Sequence, residues 1–478
     1  MTGNEPVLGV NTMDALTRRN FLNRTSLGLG AVATASLLAG RPTQAGAVEG
    51  IRGPHFAPRA KRVIYLHMSG GPSHLETFDN KPQMRPHHGQ DLPKSVIGKQ
   101  RLTTMTRGQA KLLVAANQET WGRFGESGQE MNVAFKEIST LADEMCIIRS
   151  IHSTPINHDP AVTFLQTGSP LSGRPCLGSW LSYGLGSENL DLPEFVVLLS
   201  NGGQPVPSRY WHNGFLPSRH QGVQFQSKGD PVLFLSNPAG ISGTNRARLV
   251  GGINRLNRLK QSQIGDPEIE ARINAYELAY RMQSSVPELM DLSREPQAIL
   301  DLYGAKPGMA SFANNCLLAR RLVEQGVRLI QLYDRGWDHH SEVTGNIKSK
   351  ISQVDRPCAA LVKDLKQRGL LEDTLIVWGG EFGRTSYGQD RGKTFGRDHH
   401  PNCFSVWLAG GGIRGGVTYG ATDDFGYNVA DNPVEVHDLH ATMLHLLGLN
   451  HEALTYRFKG REFRLTDVSG RVVRELLA

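Results

Sequence analysis

The stretch Val327-Arg-Leu-Ile-Gln-Leu-Tyr-Asp-Arg-Gly-Trp-Asp-His-His340 decides the fold. Its first half, Val327–Tyr333, is an apolar run of strand length, and its second half gathers acids and imidazoles. A helical pattern runs from Ile351 to Leu371, interrupted or capped near Pro357, and a second apolar run, Thr374–Trp378, follows it. Strand, crossover helix and strand make the unit of a parallel sheet covered on both faces. Phe404–Leu408 continues the order as a strand and Val434–Leu447 as a helix. Towards the N-terminus, Arg62–Met68, Cys146–Arg149 and Pro193–Leu199 read as strands. Met131–Met145, Ile269–Leu292 and Ala310–Gln325 carry helical spacing. The expectation is an α/β fold, a doubly wound and mostly parallel sheet with helices on both faces. It forms one domain over residues 62–478. Ser200–Gly265 is polar and rich in Gly and Pro, which predicts an insertion or lid near 200–265 with little regular structure.

The N-terminus reads as an address. Arg18 and Arg19 precede Phe21-Leu22, an uncharged stretch runs from Thr25 to Gly40, and Ala45-Gly46-Ala47 is a small-residue cleavage site. Paired arginines mark the twin-arginine route, which exports folded cargo to the periplasm or beyond. Residues 1–47 are therefore expected to be a removable signal segment, and 48–61 a Gly/Pro-rich linker. The apolar stretch is too short and Gly-rich to be a stable membrane span, and no later stretch is long enough.

The net charge of +7 in 478 residues is a mild basic excess spread along the chain, not a nucleic-acid stripe. Five cysteines stand far apart with no CxxC pair, so neither a zinc ribbon nor a disulfide scaffold is indicated.

In parallel sheets ligands sit beyond the C-terminal strand ends. Three polar clusters fall there: Asp334–His340, Gly379–Thr385 and Arg397–Pro401. Their oxygen and nitrogen donors suit zinc, manganese or iron, and less well calcium. The competing reading is hydrogen bonding between loops at the sheet edge. Asn157-His158-Asp159-Pro160, after the Cys146–Arg149 strand, reads as a reactive turn or as an Asx-turn and helix cap. Ser69-Gly70-Gly71-Pro72 lets backbone approach an anion, without the phosphate-loop pattern. His437, His440 and His445 read as core or surface histidines.

Taken together, the segments His67–His74, Asn157–Pro160, Gly173–Pro175, Gly178–Trp180, Gly336–His340, Gly380–Thr385, Asp398–His400, His437–Thr442 and Tyr456–Arg461 resemble an exported bacterial family, domain of unknown function 1501. That family is placed in the sulfatase-like branch of the alkaline phosphatase superfamily. The resemblance implies an alkaline phosphatase/sulfatase-like fold and metal-assisted ester chemistry. It puts His158 in the slot of the sulfatase nucleophile, nine residues before Thr167-Gly168. It makes Asp338 and His340 ligands of one metal, with His399 or His400 as the final histidine. Ser69 stands where the first strand usually ends in a metal-binding Asp, so His74 or Asp79 would have to substitute. Glu381-Phe382 replaces the usual Asp-His, and no Cys-x-Pro-x-Arg is present.

Two functions follow from the resemblance. One is a metal-dependent hydrolase of sulfate or phosphate esters, acting on a small molecule or polysaccharide. Asp338, His340, Glu381, Asp398 and His399 or His400 would hold a divalent zinc, manganese or calcium ion. His158 would be nucleophile or general base, and Asn157 or Arg384 would steady the oxyanion. The other is a non-catalytic sulfatase-like protein that binds an anionic glycan or a protein partner.

Overall fold

The computed structural model describes residues 53–478 except 201–205, 227–230, 233–234, 238–239, 266 and 390–393. The signal reading of residues 1–47 and the first part of the expected linker lie outside the described residues.

The strands that place the site are β1 (Arg62–Ser69), β2 (Met145–His152), β3 (Phe195–Ser200), β4 (Val223–Phe225), β5 (Leu329–Arg335), β6 (Thr374–Gly379), β7 (Gly383–Gln389), β8 (Gly396–His400), β9 (Phe404–Ala409) and β10 (Val417–Tyr419). The main sheet has the order β10-β2-β9-β6-β1-β5-β3-β4. Every neighbouring pair on this path is parallel except the two that β9 makes, with β6 and β2. The mostly parallel α/β sheet expected from the sequence is thus present. β7 and β8 form a separate antiparallel hairpin.

The helices are α1 (His158–Thr167), α2 (Leu177–Leu185), α3 (Gly243–Ile264), α4 (Pro267–Met290), α5 (Phe312–Glu324), α6 (Val343–Gln367) and α7 (Val436–Leu446). β1 shows why they cover both faces. Ile64, Leu66 and Met68 pack in a core with α5 and α6, through Leu317, Leu318, Ile351 and Leu361. Val63 and Tyr65 pack in a second core with α1, α2 and α7, through Leu165, Trp180, Leu439 and Met443. A strand buried on both faces needs apolar residues at successive positions, so it shows as a continuous run.

Three expectations change. Met131–Met145 is not a helix: Gln129–Asn132 is a strand, and only Ile138–Glu144 turns, as 3-10 helix. The 200–265 segment holds a long helix where little regular structure was expected, because α3 takes 22 of its residues. α6 begins at Val343, eight residues before the expected start, and runs through Pro357. All five cysteines are free and buried. No helix among the described residues is long and apolar enough to cross a membrane.

Candidate metal centre

β1, β2, β5 and β6 run in one direction, so the loops after them share one edge of the sheet. Asp338 and His340 follow β5, Glu381 follows β6, and His158 opens α1 after β2. The β7–β8 hairpin lies over the same edge and supplies Arg384, Gln389 and His399. Gly70, at the end of β1, lets these loops close. Its φ is +117°, and a Cβ there would stand 2.5 Å from the backbone nitrogen of Asp338.

His158, Asp338, His340 and His399 each bring one ligand atom into a group no wider than 4.8 Å. The carboxylate of Asp338 is the hub. Its Oδ2 lies 3.2 Å from Nε2 of His158, and its Oδ1 lies 2.8 Å from Nε2 of His340 and 3.3 Å from Nε2 of His399.

The other nitrogen of each ring is committed. Nδ1–H of His158 donates to Glu381 at 2.7 Å, that of His340 to Oε1 of Gln389 at 2.7 Å, and that of His399 to the Ile156 carbonyl at 2.8 Å. A ring that is neutral and held in this way presents a bare Nε2 lone pair, and a ring that keeps a second proton donates it from Nε2 to Asp338. Nε2 of His340 and Nε2 of His399 face each other at 3.1 Å. Two lone pairs at that distance repel unless a proton or cation stands between them. Nitrogen ligands at about 2.0–2.1 Å from a tetrahedral cation lie about 3.3 Å apart. The separations, the donor types and the outer partners therefore fit a divalent cation.

The electrostatics agree with the hub. Burial would raise the Asp338 pKa, but hydrogen bonds from His158, His340 and His399 and the Arg384 charge hold it well below the usual carboxylate range. Burial would lower that of His158, yet Asp338 and Glu381 raise it to about 9. His399, desolvated and near Arg384 and His158, is lowered to about 4 despite its bond to Asp338. The cluster faces solvent on one side: the side chains of His158, Asp338 and His340 are 23, 19 and 17% exposed.

The residues expected at this site take different places. Asp338, His340 and His399 converge, and His158 joins them as a fourth donor. Its Nε2 is turned to Asp338, so the nucleophile slot holds a ligand-type imidazole. Glu381 stands behind His158 and also accepts from the Gly70 N–H at 2.9 Å. The backbone approach expected at Gly70 is thus used on an internal carboxylate.

Asp398 lies outside the group, accepting from Thr103, from Thr106 at 2.7 Å and from the His399 N–H at 2.8 Å. Adjacent residues in a strand point to opposite faces. His400 therefore turns away from His399 and stacks on Tyr427. His74 bonds the Gly426 carbonyl and Asp79 accepts from Thr422, so neither substitutes at the first strand. Arg384 is 1% exposed. It donates to the carbonyls of Gly70, Gly71 and Arg397 and, at 2.6 Å, to Asp338. Those bonds anchor the hub and leave Arg384 poorly placed to reach an oxyanion.

Asn157 caps α1 without a side-chain cap bond. It borders a cleft of about 330 Å³ with Gln100, Arg101, Thr154, Pro401 and Asn402. Sequence reading missed Gln389. A neutral amide in a strand carries no metal signal, and only its facing position in the β7–β8 hairpin exposes its role.

A larger cavity, about 900 Å³, lies at the other edge of the sheet, lined by Ser182, Glu194, Arg219 and His220 among apolar residues. The trio resembles a nucleophile system but is wired the other way. Arg219 donates to Nε2 of His220, so Nδ1–H of His220 donates to Ser182, and Ser182 donates to Glu194. No ring nitrogen is left to take the serine proton.

A family model described as "Protein of unknown function (DUF1501)" matches residues 60–477. No curated protein matches the sequence. The chain is similar to the PsFucS1 sulfatase from Pseudoalteromonas sp., at 13% identity over 88% of this chain and 72% of that one, with a TM-score of 0.37. It is similar to the alkaline phosphatase of the Antarctic bacterium TAB5, at 8% identity over 82% and 99%, with a TM-score of 0.34. A third similar structure is the C-terminal periplasmic domain of EcEptC from Escherichia coli in complex with Zn, at 9% identity over 89% and 98%, with a TM-score of 0.36. Likeness at this level says nothing of activity.

Proposed function

This chain belongs to the DUF1501 family of proteins of unknown function, and we propose that it is a metal-dependent hydrolase of sulfate or phosphate esters. The observation that carries the reading is the meeting of three Nε2 atoms on the Asp338 carboxylate at a solvent-facing strand edge. His158, Asp338, His340 and His399 would hold the cation. Bound there, it supplies a Lewis acid for a phosphoryl or sulfuryl oxygen. Glu381, Gln389 and the Ile156 carbonyl fix the three ring orientations, and Arg384 fixes the carboxylate. Asn157, whose amide makes no hydrogen bond among the described residues, would donate to an ester oxygen in the adjoining cleft.

The test is metal analysis of the purified protein, followed by assay with chromogenic sulfate and phosphate esters in added zinc or manganese. Hydrolysis that follows metal content supports the reading. Metal-free, inactive protein under both additions rejects it.

One observation favours a second reading. Four protein donors are the complement of a closed tetrahedral zinc site. In that case the chain holds its metal and binds an anionic glycan or protein partner without turnover. Metal-loaded protein that binds sulfated oligosaccharide and leaves it intact selects this reading.

The proposal includes export. Arg18 and Arg19 address the chain to the twin-arginine route, and cleavage after Ala47 leaves a protein starting at Val48. Arg18→Lys with Arg19→Lys should leave unprocessed chain in the cytoplasm, read by cell fractionation and N-terminal sequencing.

A further inference from the structure

α3 carries apolar surface that the fold leaves open. Leu249, Leu256 and Leu259 are 56, 68 and 61% exposed, and Ile264 is 61% exposed. At 3.6 residues per turn the three leucines fall within a sector of about 80°. The buried residue of α3 is Asn254, which donates to Glu277 of α4 at 3.1 Å. This helix therefore turns an amide inward and its leucines outward, the reverse of an ordinary surface helix.

Charge is as uneven as hydropathy. α3 holds Arg246, Arg248, Arg255, Arg258 and Lys260, and no acidic residue. Arg258 pairs with Glu277 at 3.3 Å. The other four have no acidic partner among the described residues. The excess that looks dilute over the whole chain is concentrated on this helix.

The combination selects among occupants. Two copies meeting through α3 would bring together eight cations that have no acidic partner among the described residues. Nucleic acid would neutralise the arginines but leave the leucines in water. An anionic lipid surface takes both, with side chains of Leu in the acyl boundary and cations at the phosphates. We propose that α3 lies flat on an anionic membrane surface and docks the protein there. The proposal is independent of the ester chemistry and of export.

The five native cysteines are buried, so Leu256→Cys in the full chain can carry an environment-sensitive dye that reports on α3 alone. The probes are phosphatidylcholine vesicles with and without about one-third phosphatidylglycerol. The dye should shift to the blue with anionic vesicles only. Arg246→Gln, Arg248→Gln and Arg255→Gln together should weaken binding on the order of 100-fold. Leu249→Ser with Leu259→Ser should weaken it roughly tenfold. All five sites are exposed or half-exposed, so the unfolding midpoint should stay unchanged. Vesicle binding without a blue shift overturns the proposal, because another segment then makes the contact. So does a shift that rises with protein concentration alone, or an equal response to duplex DNA at matched phosphate.

Discussion

The two ends of α1 each meet a pair of histidines, with opposite consequences. At its C-terminal end, His437 and His440 of α7 donate Nε2–H to the carbonyls of Gly168 at 2.9 Å and Leu165 at 2.8 Å. Those are carbonyls that a helix end leaves without a partner. At its N-terminal end, His158 meets His340 and His399 round Asp338, where every ring is tied at Nδ1 and the Nε2 atoms are turned toward one another. The first arrangement is made with protons alone, with Nδ1 of His440 buried and without a partner among the described residues. The second turns Nε2 positions together that a proton or a divalent cation must fill. Clustering of histidines does not separate the two; the destination of the second ring nitrogen does.

The hardest test of this contrast is removal of one donor at each end. His340→Ala should weaken zinc binding more than about 100-fold, beyond the usual effect of an outer partner. Zinc at about 100 times its dissociation constant should stabilise the wild type by about 2.7 kcal/mol, and this gain should vanish in the variant. His440→Gln should keep the zinc affinity. Chelator competition and thermal unfolding with and without zinc read both. Equal zinc stabilisation in wild type and His340→Ala would break the contrast outright.

Next in size are the residues behind the rings. Gln389→Ala and Glu381→Ala remove the acceptors that fix His340 and His158, and each should cost about 10–100-fold in zinc affinity. Gln389→Glu restores an acceptor and should recover most of the loss. The same titration measures all three variants. An unchanged affinity in Gln389→Ala would mean that the orientation of His340 is set by packing alone.

The sequence reading reached the frame of this site and not its finish. β5 and β6 are apolar runs that end in polar clusters, so Asp338, His340 and Glu381 could be placed at one edge. His399 and His400 could not be told apart until the strand alternation of β8 was known. Glu381 and Asp398 have ligand chemistry but spend it on neighbours, His158 and Thr106, that lie far away in sequence. α3 escaped because its leucines face water and its composition is Arg, Asn and Gly. A helix whose apolar stripe is not in the core looks like a loop by composition. Met131–Met145 erred in the other direction, since helical spacing over a strand and a 3-10 turn was coincidental.

The C-terminal end of α1 should respond to pH instead of metal. Burial alone would lower the pKa of His437, but its bonds to Glu435 and the Gly168 carbonyl outweigh that and raise it. A raised value means that the fold favours the charged ring. Its contribution is full below the unfolded-state pKa of about 6.5 and is lost as pH rises through the folded value. Denaturant unfolding should show wild type losing about 1 kcal/mol relative to His437→Gln over that window. Comparing the two proteins cancels the histidines they share. Parallel curves would show that the ring is neutral and binds only one of its two acceptors.

Asn157 should give the smallest change in stability and so sharpens the contrast at the helix start. An N-cap asparagine normally stabilises by bonding a backbone N–H of the first turn, and losing it costs about 1 kcal/mol. Here no such bond is made, so Asn157→Ala should shift unfolding by less than about 0.5 kcal/mol. Zinc affinity should not move, because Asn157 holds none of the three rings. If the cleft of about 330 Å³ beside it takes an ester, kcat/KM on that ester should fall on the order of tenfold or more, since one preorganised donor to a developing oxyanion is lost. A stability loss as large as a normal cap would instead assign Asn157 to the fold, leaving Gln100, Arg101 and Thr154 as polar side chains of the cleft that could meet the substrate.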